Sequence, residues 1–122
     1  MSRDLLSVEP GLSLTEVAQR MVDKDVGAVL VMEGARLVGI LTERDVLRAV
    51  ARGIDASTTV ADWMTRDPET LAPDESTEHA AVLMIHGGFR HLPVTDSGDV
   101  VGMLSIRDLM RVVLEDTVPR GA

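Results

Sequence analysis

The chain has 122 residues, a formal net charge of −8 and no cysteine. That acidic balance argues against nucleic acid and anionic membrane surfaces as partners, since both call for a basic stripe. The missing thiol excludes disulfides, thiolate nucleophiles and cysteine metal sites, and with one Trp and one Phe among 45% apolar residues the core has to be aliphatic.

Ser7-Val8 reads as a very short strand before the Pro10-Gly11 turn. Ser13-Leu14-Thr15-Glu16 has the spelling of a capping box, with Ser13 as N-cap and Glu16 reaching back. Leu14, Val17, Ala18, Met21 and Val22 then recur at helical spacing, predicting a helix to about Lys24. Ala28–Met32 is a continuous apolar strand, far shorter than a membrane span. A turn at Glu33–Arg36 leads to a second strand, Leu37–Leu41, and Thr42 caps a helix to about Arg52.

Residues 53–59 form a linker rich in Ser, Thr and Gly. Val60–Met64 is expected as a short helix and Glu69–Leu71 as a short strand. A helix over Thr77–His86, ended by Gly87-Gly88, strands over His91–Thr95 and Val100–Leu104, a helix over Ile106–Glu115 and a frayed tail over 116–122 complete the chain.

The second half repeats the first. Residues 8–50 align with 71–113 without a gap at an offset of 63. Identities include Pro10/Pro73, Ser13/Ser76, Met21/Met84, Val31/Val94, Gly39/Gly102, Arg44/Arg107, Asp45/Asp108 and Arg48/Arg111. One βαββα unit is therefore used twice, in an α/β (α+β) fold. A unit this small cannot cover its own apolar face, so the two are expected to pack together. The division is placed at 1–56 and 57–122.

Within the repeat, Gly39-Ile40-Leu41-Thr42-Glu43-Arg44-Asp45 matches Gly102-Met103-Leu104-Ser105-Ile106-Arg107-Asp108. At a strand-to-helix junction, Gly39 and Gly102 leave room for close approach to the backbone. The hydroxyls of Thr42 and Ser105 lie at N-caps, beside free N–H groups and the positive end of a helix dipole. Asp45 and Asp108 follow in the first turn, and a carboxylate accepts from both hydroxyls of a ribose diol. The same spelling also reads as a capping device and nothing more.

These motifs, with Phe89-Arg90-His91-Leu92-Pro93-Val94 and Val60-Ala61-Asp62-Trp63-Met64-Thr65, resemble a tandem pair of cystathionine-β-synthase (CBS) domains, a Bateman module. The resemblance implies two pseudo-twofold repeats packed sheet to sheet. It implies clefts between them for adenosine-containing ligands (AMP, ADP, ATP or S-adenosylmethionine) and regulation of an attached or partner protein. Asp45 and Asp108 would hold ribose, with Thr42 and Ser105 near ribose or phosphate. Val26-Gly27-Ala28 and Phe89-Arg90-His91 would line the adenine and phosphate region. Arg44 and Arg107, adjacent to the aspartates, read either as phosphate contacts or as solvated residues of the helix surface. Because Gly27 and Ala28 stand where the other repeat has Arg90 and His91, the clefts are expected to differ in affinity for polyphosphates.

The expected function is that of a regulatory nucleotide-binding module in the cytoplasm, without catalytic residues, metal or obligatory cofactor. The alternative is a docking or dimerisation platform with vestigial clefts. The apolar faces of the helices around 43–52 and 106–115 predict a homodimer. A regulated protein partner is also expected.

Overall fold

The computed structural model describes residues 5–117, apart from the side chains of 113 and 115–117. It contains five helices and two sheets in two compact units that change over between Pro68 and Glu69.

In the first unit, β1 (Ser7–Val8) runs parallel to β2 (Ala28–Glu33), and β3 (Arg36–Thr42) pairs antiparallel with β2. A further strand, β4 (Thr65–Arg66), closes the edge by pairing with Gly39 and Ile40, giving the order β1-β2-β3-β4. Sequence patterning does not predict β4, because two residues are too few to show a period. Helices α1 (Leu14–Lys24), α2 (Glu43–Arg52) and the single turn α3 (Val60–Trp63) complete the unit. Its core is aliphatic as expected: Leu14, Val17, Val29, Val31, Leu41 and Val60 are fully buried. Each such side chain is worth roughly 1.5–3 kcal/mol of burial. At the start of α1, Ser13 accepts the Glu16 N–H at 3.2 Å. The Glu16 carboxylate does not close the expected capping box; it pairs with Arg20, one turn on, at 3.3 Å.

The second unit repeats the plan with α4 (Thr77–Gly87), β5 (His91–Asp96), β6 (Asp99–Ser105) and α5 (Ile106–Thr117). Leu71, Ala80, Met84, Leu92, Val94 and Leu109 form its core. The β5–β6 register breaks between Val94 and Thr95, just as β2–β3 breaks between Val31 and Met32, so even the bulge obeys the 63-residue offset. Gly88 ends α4 in the left-handed region at φ 73°. The expected strand at Glu69–Leu71 is reduced to one bridge between Leu71 and Val94. In the first unit the Leu30 N–H donates to Leu6 at 2.9 Å. Its counterpart is Pro93, which has no N–H to give, so the pairing stops one step short. Contrary to the expected fraying, α5 includes 116 and 117; the rest of that tail lies outside the described residues.

Candidate functional site

Two strand-to-helix junctions gather the residues singled out in the sequence. In the first, β3 delivers Thr42 to the N-cap of α2 in extended conformation. Asp45 Oδ2 accepts the Thr42 backbone N–H at 2.9 Å and the Thr42 hydroxyl at 3.0 Å. The Asp45 N–H donates back to Thr42 Oγ1 at 3.3 Å, completing a capping box. Arg48, one turn on, brings a guanidinium nitrogen to 4.0 Å of Asp45 Oδ1.

The second junction is built alike. The Ser105 N–H donates to Asp108 Oδ2 at 3.0 Å, and the Asp108 N–H donates to Ser105 Oγ at 3.1 Å. Partial burial pushes the Asp108 carboxyl up, but the bonds from the Ser105 backbone and hydroxyl, with the charge of Arg111, outweigh it and hold the pKa below its ordinary value. Arg48 and Arg111 are therefore part of these junctions. Their identity across the repeat was the available signal, yet nothing in the sequence assigns them a task.

Strand register brings the remaining residues alongside. Ala28 lies opposite Thr42 and His91 opposite Ser105. The Glu43 N–H donates to the Gly27 carbonyl at 2.9 Å, and the Ile106 N–H donates to the Arg90 carbonyl at 2.8 Å. Each junction thus joins the segment before one strand to the cap after the next. Val26 and Phe89 pack partly against their cores, the Phe89 ring lying over Gly87. Arg44, Arg107 and Arg90 are exposed.

Gly39 differs from expectation. A Cβ there would stand 2.7 Å from Met64 Sδ and 2.9 Å from the Thr65 carbonyl oxygen. The space beside it is taken by β4 and the residue before it, so the close approach that glycine permits is between two parts of the chain. Gly102 is buried in the corresponding place in β6.

A family model described as CBS domain matches residues 1–52 and 60–115. The chain belongs to the CBS domain family. It is 36% identical over 110 residues to the CBS domain-containing protein YhcV of Bacillus subtilis, covering 89% of this chain and 79% of YhcV. A 17.7 kDa protein of Acidianus ambivalens is 37% identical over 110 residues, and the match spans 88% of this chain but 66% of that relative.

Among solved structures, the CBS domain protein PAE2072 from Pyrobaculum aerophilum, complexed with AMP, matches with a TM-score of 0.84 at 30% identity, covering 95% of this chain and 92% of that one. The CBS domain pair of MJ0100, in complex with 5′-methylthioadenosine and S-adenosyl-L-methionine, matches with a TM-score of 0.85 at 26% identity, covering 96% and 94%. The CBS fold of two like α/β repeats is thereby established for this chain. Among the described residues, no helix of this CBS pair is long and apolar enough to cross a membrane.

Proposed function

We propose that the chain is a regulatory module that binds adenosine-containing ligands of the AMP, ADP or ATP class at the strand-to-helix junctions of its two CBS repeats, 1–56 and 57–122. The observation that carries this reading is the doubled cap. In each repeat Oδ2 of the aspartate is held by the N-cap, so Oδ1 is aimed and can accept a ribose hydroxyl without breaking the helix start. Relatives crystallised with AMP, and with methylthioadenosine and S-adenosylmethionine, support the ligand class. Thr42, Ser105, Val26, Gly27, Ala28, Phe89, Arg90, His91, Arg44 and Arg107 complete the sites in this reading, with Gly39 and Gly102 setting the backbone beneath them.

The module does no chemistry of its own. Ligand binds one arrangement of the repeats better than another, and a cytoplasmic protein partner reads the difference. Two such modules join through α2 and α5, whose Leu47, Val50, Met110 and Leu114 are each more than half exposed.

A thermal-shift panel on nucleotide-stripped protein tests this with ATP, ADP, AMP, 2′-deoxy-ATP, GTP and S-adenosylmethionine. A ligand at 100 times its Kd stabilises by about 2.7 kcal/mol. The reading expects a shift with an adenine riboside, weaker for the 2′-deoxy form. No shift with any of them contradicts it and favours a docking platform, for which the exposed faces of α2 and α5 are the supporting observation.

A further inference from the structure

One charge changes sign between the two junctions. The bond from Glu43 N–H to the Gly27 carbonyl and the bond from Ile106 N–H to the Arg90 carbonyl are the same bond at the 63-residue offset. The side chains at its ends are exchanged in character. The first junction carries a carboxylate on the helix and no side chain on the residue before the strand; the second carries an apolar side chain on the helix and a guanidinium on the residue before the strand.

Position 43 is also folded toward position 27. A Cβ built on Gly27 would lie 3.4 Å from Glu43 Cδ, 3.4 Å from Oε1 and 3.6 Å from Oε2. The negative charge of Glu43 therefore stands where, in the second unit, the side chain of Arg90 begins. A helix N-terminus favours an anion. In the first unit that place is already filled by a carboxylate of the chain, while in the second a cation adds to the attraction.

We propose that Glu43 selects ligand charge. The Thr42–Asp45 cap takes an adenosine compound whose 5′ substituent carries no negative charge, and the Ser105–Asp108 cap, beside Arg90, takes the phosphorylated one. This rests on the adenosine reading above. In this proposal a nucleoside with its diol on the aspartate has its 5′ carbon, one five-membered ring away, on the side of residue 43 in one unit and of residue 90 in the other. Repulsion between a carboxylate and a phosphate dianion a few ångströms apart in a water-like medium amounts to about tenfold in affinity, and it shrinks as salt is added.

Adenosine and AMP, titrated calorimetrically at low ionic strength, are the probes. Asp108→Ala leaves the first cap intact, and Asp45→Ala leaves the second; Asn variants serve where Ala lowers the melting temperature. In the Asp108 variant, AMP is expected to bind about tenfold more weakly than adenosine. Glu43→Gln should bring the two affinities together, and Gly27→Arg with Glu43→Ile should reverse their order. In the Asp45 variant AMP should be the tighter ligand, a preference lost with Arg90→Gln. An AMP-to-adenosine ratio unmoved by Glu43→Gln overturns the selection while leaving the adenosine reading intact. So does adenosine that binds the wild type but not the Asp108 variant. Failure of the wild type to bind either probe overturns the selection, and the adenosine reading falls with it when ATP, ADP and S-adenosylmethionine fail as well.

Discussion

Asp45 and Thr42 are joined three ways: the Asp45 carboxylate takes the backbone N–H and the hydroxyl of Thr42, and Thr42 Oγ1 takes the Asp45 N–H. The residue assigned to ribose is therefore also the residue that starts α2. Binding and folding share one side chain, and variants can separate them. Asp45→Ala removes the capping acceptor and should cost about 1 kcal/mol of stability together with ligand binding at this cap. Asp45→Asn keeps an oxygen for the Thr42 N–H, so it should regain most of that stability, read by urea unfolding, while binding at this cap stays lost. Equal loss of stability in both variants would show that the charge, not the cap, is what α2 needs.

Asp108 gives the second unit a pH dependence. Its folded-state pKa is depressed, so the unfolded chain takes up the proton first as the medium becomes acid. The contribution is present in full above the unfolded pKa, about 3.9, and is lost as pH falls through the folded value. Melting temperatures of the wild type and Asp108→Asn should therefore differ at pH 7 and converge as the pH falls below the unfolded pKa and through the depressed folded one. A gap that widens in acid would contradict the assignment.

Gly39 is held by packing. Adding a methyl group there sets Cβ against Met64 Sδ and the Thr65 carbonyl, and the carbonyl cannot move without unpairing β4. Gly39→Ala should destabilise by about 1–3 kcal/mol, the usual cost of overpacking, with Met64→Ala recovering part of it by vacating one of the two obstacles. Urea denaturation of the two variants and the double variant measures this coupling.

The exposed apolar faces of α2 and α5 predict self-association. Leu47→Glu and Met110→Glu replace side chains that are 69% and 56% exposed, so neither should disturb its own fold. Each is expected to halve the mass seen by analytical ultracentrifugation. A wild type that sediments as a monomer at high concentration would remove the dimer from the account.

Much of this architecture is visible in the residues alone, and the failures have physical causes. The repeat, the aliphatic core and the paired caps follow from identities at a fixed offset and from helical spacing. Pro93 shortens the pairing at Leu71 by withholding one N–H, a consequence visible only once Leu30 is seen bonded to Leu6. The open space assigned to Gly39 is filled by β4, a strand too short to announce itself. Thr59 and Asp62 are instructive as well. The Thr59 N–H donates to Asp62 Oδ2 at 2.9 Å, reproducing the cap bond of the candidate sites in a short helix after the linker. Thr-x-x-Asp by itself thus reports a helix start. Position 56 is Ala and no apolar strand precedes it, so the preceding strand and glycine are what set Thr42 and Ser105 apart.

The most direct measurement is calorimetric titration of adenosine and of 2′-deoxyadenosine into the wild-type chain and into the Asp45→Asn/Asp108→Asn double variant, each first shown to be folded. The account predicts that adenosine binds the wild type, that removal of the 2′-hydroxyl weakens binding about tenfold or more, as expected for a lost hydrogen bond to a charged group, and that the folded double variant binds neither. Equal affinity for the two nucleosides, or undiminished binding by the double variant, would contradict a ribose held by the capping aspartates.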